Sequence, residues 1–108
     1  MPYTIKIKET EYTIDDKTIE ELERYVHYGE IPGDFLCAIL RNNFADVVTL
    51  ADGHNLQNLP AFAKYLWWEI PGSSWGSTEK ILKWCAHDGM SGYGKKIKQE
   101  EKNKDEGL

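Results

Sequence analysis

The sequence has no run of about 18 apolar residues and no charged start followed by an apolar segment, the patterns of a membrane span and a secretory signal. We therefore expect a cytoplasmic protein with no membrane contact. Cysteine is scarce: only Cys37 and Cys85 occur, with no Cys-x-x-Cys spacing. In a reducing compartment such cysteines are most simply small apolar residues of the core.

Signatures of cofactor and metal chemistry are missing as well. The complete phosphate-binding patterns Gly-x-x-x-x-Gly-Lys-Ser/Thr and Gly-x-Gly-x-x-Gly are both absent, so no phosphate-binding loop is indicated. His27, His54 and His87 are far apart in the chain, whereas metal sites usually contain at least one close ligand pair. We predict no metal, no cofactor and no catalytic residue.

Basic residues are too few for general nucleic-acid binding. The chain carries 13 Lys and Arg among 18 Asp and Glu, for a net charge of -5 and a pI near 5.1. Binding to phosphate backbones would require clustered cations, so we predict no general affinity for DNA or RNA. The acidic excess is also too small for a mimic of DNA.

The hydrophobic patterning predicts one small α+β domain that is mainly helical. With 108 residues and 41% hydrophobic residues, the chain suffices for a single core. Residues 1–14 alternate between apolar and polar, with a polar break near Thr10-Glu11, which is typical of a β-hairpin. We expect residues 15–89 to form about five short helices. Residues 90–108 are almost entirely polar, which predicts a disordered tail.

Local signals place the helix boundaries. The first helix should run from about Asp16 to Tyr28, with a capping box at Thr18 and Glu21 and a stop at Gly29. Asp34 is a candidate cap for the next helix, whose segment 35–40 is apolar on all sides and should be central. The remaining helices should begin at Asn43, near Asn58 and at Ser77. Their predicted inward residues are Phe44, Val47, Val48 and Ala51, then Ile81, Trp84 and Cys85.

The segment 58–77 carries three of the four tryptophans and should organise the domain. At about 100° per residue, one apolar arc of its helix collects Leu59, Phe62, Ala63, Leu66, Trp67 and Ile70. Trp68 falls roughly opposite, beside Ala61, Lys64 and Tyr65. A helix that buries only one face would leave Trp68 in water, unless another segment or a second copy covers it.

The residues left over by this core are the candidate site. Tyr65, Trp68 and the loop residue Trp75 offer flat aromatic faces, and Lys64 is their charged neighbour. Such a set is typical of a protein-binding hot spot and also suits stacking against a nucleotide base. Closure of the loop by Trp75 is an equally good interpretation of that residue.

Several motifs together resemble a group of small uncharacterised proteins encoded by bacterial phages and prophages. The resemblance covers about residues 14–84, and its most specific parts are Pro-Gly-Asp-Phe-Leu at 32–36 and Trp-Gly-Ser at 75–77. No reaction is attached to that group, so the resemblance implies no catalytic residue. It implies a bacterial cytoplasm and an accessory role, which for small phage proteins is commonly the inhibition of a host system.

We therefore expect a non-enzymatic binding protein that inhibits a bacterial defence or regulatory protein, in the manner of anti-CRISPR proteins. One alternative is an oligomeric sponge that encloses a nucleotide-like signalling molecule between aromatic faces. A small enzyme that uses Asp52 and His54 ranks third. An exposed hairpin edge and surplus aromatic residues also favour a homo-oligomer.

Overall fold

The computed structural model describes residues 2–92, and the chain begins with the predicted hairpin. Strand β1 (Tyr3–Ile7) pairs antiparallel with β2 (Thr10–Ile14), and Lys6 lies opposite Glu11. The turn is at residues 8–9, where Lys8 has a φ of 57°, and not at the predicted polar break. The earlier turn lets Thr10 and Glu11 join the strand pairing.

The helices that follow make the fold α+β and mainly α, as predicted. They are α1 (Asp16–Tyr28), α2 (Asp34–Arg41), α3 (Phe44–Leu50), α4 (Gly53–Gln57), α5 (Leu59–Glu69) and α6 (Thr78–Ala86). A 3-10 turn, Gly72–Ser74, separates the last two. More helices form than the five expected, because Gly53–Gln57 becomes a helix of its own. Its start is capped by Asp52, whose carboxylate accepts a hydrogen bond from the Asn55 amide at 2.7 Å.

The caps of α1 and α2 differ from the predicted ones. Asp15, not Thr18, caps α1, because its carboxylate accepts a hydrogen bond from the Thr18 amide at 2.8 Å. Hydrogen bonding to the Thr18 side chain, followed by that to its amide, lowers the pKa of Asp15. Glu21 does not close a capping box, because its carboxylate accepts a hydrogen bond from the Gly33 amide of the following loop at 2.9 Å. Helix α2 likewise starts one residue early, so Asp34 is its first residue and Gly33 the cap.

Other predicted boundaries are confirmed. Helix α1 ends at Gly29, which has a left-handed φ of 70°. Asn43 caps α3 by accepting a hydrogen bond from the Asp46 amide, and Ser77 caps α6 in the same way through Lys80. Helix α6 ends at Ala86.

Helix α2 lies at the centre of the core, as its apolar sequence predicts. Leu36, Ala38, Ile39 and Leu40 are buried, and the helix packs against α3, α5 and α6. Cys37 and Cys85 are only partly buried, and partial burial raises the pKa of both thiols. Loss of a thiolate's hydration is the main cause of both shifts.

Buried polar contacts join α1 to the C-terminal part of the fold. The hydroxyl of fully buried Tyr25 donates a hydrogen bond to the Ser74 carbonyl at 2.6 Å. The Trp84 indole N–H donates to the carbonyls of Tyr25 and Val26, in the last turn of α1. These contacts hold the loop after α5 in place, and with it Trp75.

The orientation predicted for α3 is wrong. Val47 is buried, but Phe44 is 77% exposed and Val48 is 40% exposed. The helix is only seven residues long, and Val47 is its one buried residue. Phe44 therefore becomes part of the surface.

The predicted tail lies mostly outside the described residues, which end at 92. Residues 89–92 form a further helical turn. Among residues 2–92, no helix combines the length and the apolar character needed to cross a membrane.

Candidate functional site: the tryptophan face of helix α5

Helix α5 presents an outward surface formed by Pro60, Ala63, Lys64, Trp67 and Trp68, which we call the tryptophan face. Trp68 is 70% exposed, as the helical wheel predicts. Trp67 is 67% exposed, so its predicted place on the buried arc is wrong. Ala63, expected inside, is exposed too, and Ala61, expected outside, is fully buried.

These differences have one cause, a rotation of the buried face of α5. The buried arc keeps Phe62 and Leu66 but is turned by roughly 80° toward Ala61 and Tyr65, at 100° per residue. The hairpin packs against that side, where the Tyr3 and Tyr65 rings meet edge to face with centroids 5.0 Å apart. Covering this side of the helix leaves the side that bears both Trp67 and Trp68 open.

The start of α5 is fixed by Asn58, a residue for which sequence reasoning found only a boundary. Its side chain is almost fully buried: Oδ1 accepts a hydrogen bond from the Thr13 amide, and Nδ2 donates one to the His54 carbonyl, both at 2.8 Å. One amide group thus joins β2, α4 and the first turn of α5. This joint sets the position of the helix against the hairpin.

A groove runs along one edge of the tryptophan face. It has a volume of about 290 Å³ and lies between α3 and α5, above the buried side chains of Ile39, Val47 and Leu66. Phe44 stands at its side, and Pro60 and Ala63 form the margin shared with the tryptophan face. We call it the Phe44 groove. A second, shallower depression lies on the tryptophan face itself and is lined by Ile7 together with the five residues of that face.

The predicted site residues are only partly brought together. Lys64 and Trp68 lie side by side on the tryptophan face. Trp75 is half-buried. Its ring packs edge to face against that of Trp67, with the ring centroids 6.2 Å apart and an angle of 65° between the ring planes. Tyr65 packs on the hairpin and lines neither depression.

Charge is divided between the two sides of α5. Burial, followed by the nearby carboxylates of Glu23 and Glu69, raises the pKa of Tyr65 to about 12 on the hairpin side. Among the described residues, no carboxylate lines the Phe44 groove or the depression on the tryptophan face, and Lys64 is the one charged residue there. Within residues 2–92, Lys64 forms no ion pair.

The two residues considered for catalysis lie outside the tryptophan face. Asp52 is occupied as the cap of α4, and His54 is exposed on the first turn of that helix. Among the described residues, no group of three His, Cys, Asp or Glu side chains is placed to hold a metal ion.

Comparisons with protein-family models, curated proteins and solved structures found no match for this chain. The site is therefore interpreted from its own geometry. That geometry defines an aromatic, apolar surface with one cation, which is suited to contact with a macromolecule.

Proposed function

We propose that this protein is a non-enzymatic binding protein that recognises another protein through the tryptophan face. One observation carries the proposal: two consecutive tryptophans, Trp67 and Trp68, are both about two-thirds exposed beside an apolar groove. Tryptophan is the residue most enriched at the energetic centres of protein interfaces. Its exposure in pairs on one helix is unusual for a surface that stays in water.

The size of this surface supports a protein partner. Aromatic side chains bury about 150 to 250 Å² each, so the exposed parts of Trp67, Trp68 and Phe44 offer about 500 Å² in total. A standard interface buries about 800 Å² per partner, so these three residues would supply more than half of it. The surrounding depressions provide space for complementary side chains.

The resemblance to phage and prophage proteins makes the proposal more specific. Under that resemblance the partner is a bacterial host protein of a defence or regulatory system, and the binding protein inhibits it by occupying its surface. The setting would be the cytoplasm of the bacterial cell. No catalytic step and no cofactor is part of this proposal.

Ring geometry favours a protein over a nucleotide-like molecule. A base is held best between parallel aromatic faces, whereas Trp67 and Trp75 meet edge to face. A sponge for such a signal would need a second copy to supply the opposite face. We therefore keep the protein partner as the proposed function.

The test is affinity capture from bacterial cells with three tagged forms: the natural chain, Trp67→Ala with Trp68→Ala, and Leu82→Ala. Leu82 on α6 is 60% exposed and lines neither depression, so it is a matched control for losing exposed apolar surface. Quantitative mass spectrometry should find a partner that the natural chain and the control retain and the double variant loses. Equal recovery by all three forms would disprove the proposed role of the indoles.

A further inference from the structure

The Phe44 groove and the tryptophan face form one continuous apolar strip along α5. Both depressions share Pro60 and Ala63, so the two meet along an apolar margin. Phe44 and the two indoles stand at the sides, and the small side chain of Ala63 lies between them. A small residue at the centre allows the backbone of a bound segment to approach closely, while the aromatic residues surround it.

The length of the strip matches a helical segment. From Leu59 to Trp68 the helix rises about 14 Å, at 1.5 Å per residue. An amphipathic helix with apolar residues at positions i, i+3 or i+4, and i+7 places them over about 10 Å, and such helices typically lie in apolar grooves. A bound helix of about three turns would therefore cover the strip from the groove to the indoles.

The charge of the strip favours a partner segment that carries a carboxylate. The chain carries 18 acidic residues, yet none of those that the structure describes lines the strip, where Lys64 is the one charged residue of the described part. Because Lys64 forms no ion pair within residues 2–92, its ammonium group is available to a partner. A complementary carboxylate on the partner would fix the register of the bound helix.

We propose that the partner binds through an amphipathic helix whose apolar side lies along this strip and whose carboxylate pairs with Lys64. This inference rests on the proposed function and names the chemistry of the partner's contact.

The first part of the test is selection from a display library of alanine-based helical peptides, about four turns long, with one face randomised. The full-length protein should select peptides with three apolar residues on one face and an Asp or Glu beside them. A proline placed mid-peptide breaks the helix and should weaken binding at least about tenfold. Selection of no peptide, of basic peptides, or of peptides that tolerate the proline would overturn the inference.

The second part exchanges the charges. Lys64→Glu should weaken binding of the selected acidic peptide at least about tenfold, and changing the acidic residue of the peptide to Lys should restore it. Unchanged affinity in both combinations would show that Lys64 does not contact the peptide. Leu82→Ala should have no effect on either peptide.

Sedimentation of the natural chain tests whether a second copy of the chain occupies the strip. We expect it to sediment as a monomer, in contrast to the homo-oligomer that the sequence pattern favours, because a second copy on the strip would exclude the partner's helix. A dimer that dissociates on Trp67→Ala with Trp68→Ala would show that a second copy occupies the strip, and would overturn the inference.

The two proposals fail in different ways. If capture of a cellular partner depends on the indoles but the selected helix does not compete with it, the proposed function stands and the helical contact is wrong. If capture does not depend on the indoles, the proposed function fails first.

Discussion

Removing either exposed indole should change the stability of the protein very little. About a third of Trp67 and of Trp68 is covered, or roughly 80 Å² of a side chain of about 250 Å². At about 25 cal/mol per Å², this burial contributes at most about 2 kcal/mol, and an alanine retains part of it. We expect Trp67→Ala and Trp68→Ala each to lower the free energy of unfolding by less than about 1.5 kcal/mol.

Trp84 is the matched core control. It is 1% exposed and donates hydrogen bonds to two carbonyls of α1, so Trp84→Ala should cost about 3 to 5 kcal/mol or prevent folding. Urea unfolding followed by far-ultraviolet circular dichroism gives all three values without relying on tryptophan fluorescence. A loss of about 3 kcal/mol or more for Trp68→Ala would refute the reasoning, because it would place that ring in the core.

Three further predictions concern the framework of the fold, each measured by urea unfolding. Asn58→Ala should cost about 2 to 3 kcal/mol, because it leaves the Thr13 amide and the His54 carbonyl without their buried partner; a cost below about 0.5 kcal/mol would mean that Asn58 does not fix the helix. Gly89→Ala should cost about 2 kcal/mol, since its φ is +64° and an added Cβ would lie 2.5 Å from the Gly29 amide nitrogen. Gly53→Ala, where an added Cβ has no neighbour within 4 Å, should be nearly neutral. An equal cost for Gly89→Ala and Gly53→Ala would contradict the close approach of Gly89 to Gly29. Asp15→Ala should cost about 1 kcal/mol at neutral pH, and Asp15→Asn much less. Because the folded-state pKa of Asp15 is lowered, the contribution of its charge is present above the unfolded pKa of about 4 and disappears as the pH falls through the lower folded value. A cost of Asp15→Ala that stays the same at low pH would contradict this role of the charge.

The sequence was most informative where a local signal decides the structure. Period-two alternation predicted the hairpin, and Gly29, Asn43 and Ser77 marked helix ends that the structure confirms. In each case the deciding interaction is a hydrogen bond or a backbone angle within a few residues. The central position of α2 followed in the same way, because a helix with no polar side must be surrounded.

The face of α5 was harder to predict because it depends on a distant part of the chain. A wheel that considers only hydrophobicity centres the buried arc near Leu59, whereas the hairpin turns it toward Ala61 and Tyr65. A small and an aromatic residue four positions apart on the supposed outer side were a signal for this contact. Reading that pair as a packing surface for the hairpin would have placed Trp67 on the outside together with Trp68.

The exposure of Phe44 was also hard to predict from the local sequence. It occupies an inward position on the wheel of α3, yet it is exposed because the short helix has only one residue, Val47, in the core. The groove beside it arises from the separation of two helices, which no local pattern encodes. The sequence therefore predicted that Trp68 is exposed beside Lys64, and missed the groove that extends this surface.

The most direct measurement is oxidative footprinting of the tryptophans in the full-length protein, alone and bound to its captured partner. In the free protein Trp67 and Trp68 should be oxidised rapidly and Trp84 slowly, in line with their exposures of 67%, 70% and 1%. In the complex both exposed indoles should become protected. Indoles that are already protected in the free protein, or that react equally in the complex, would contradict the account.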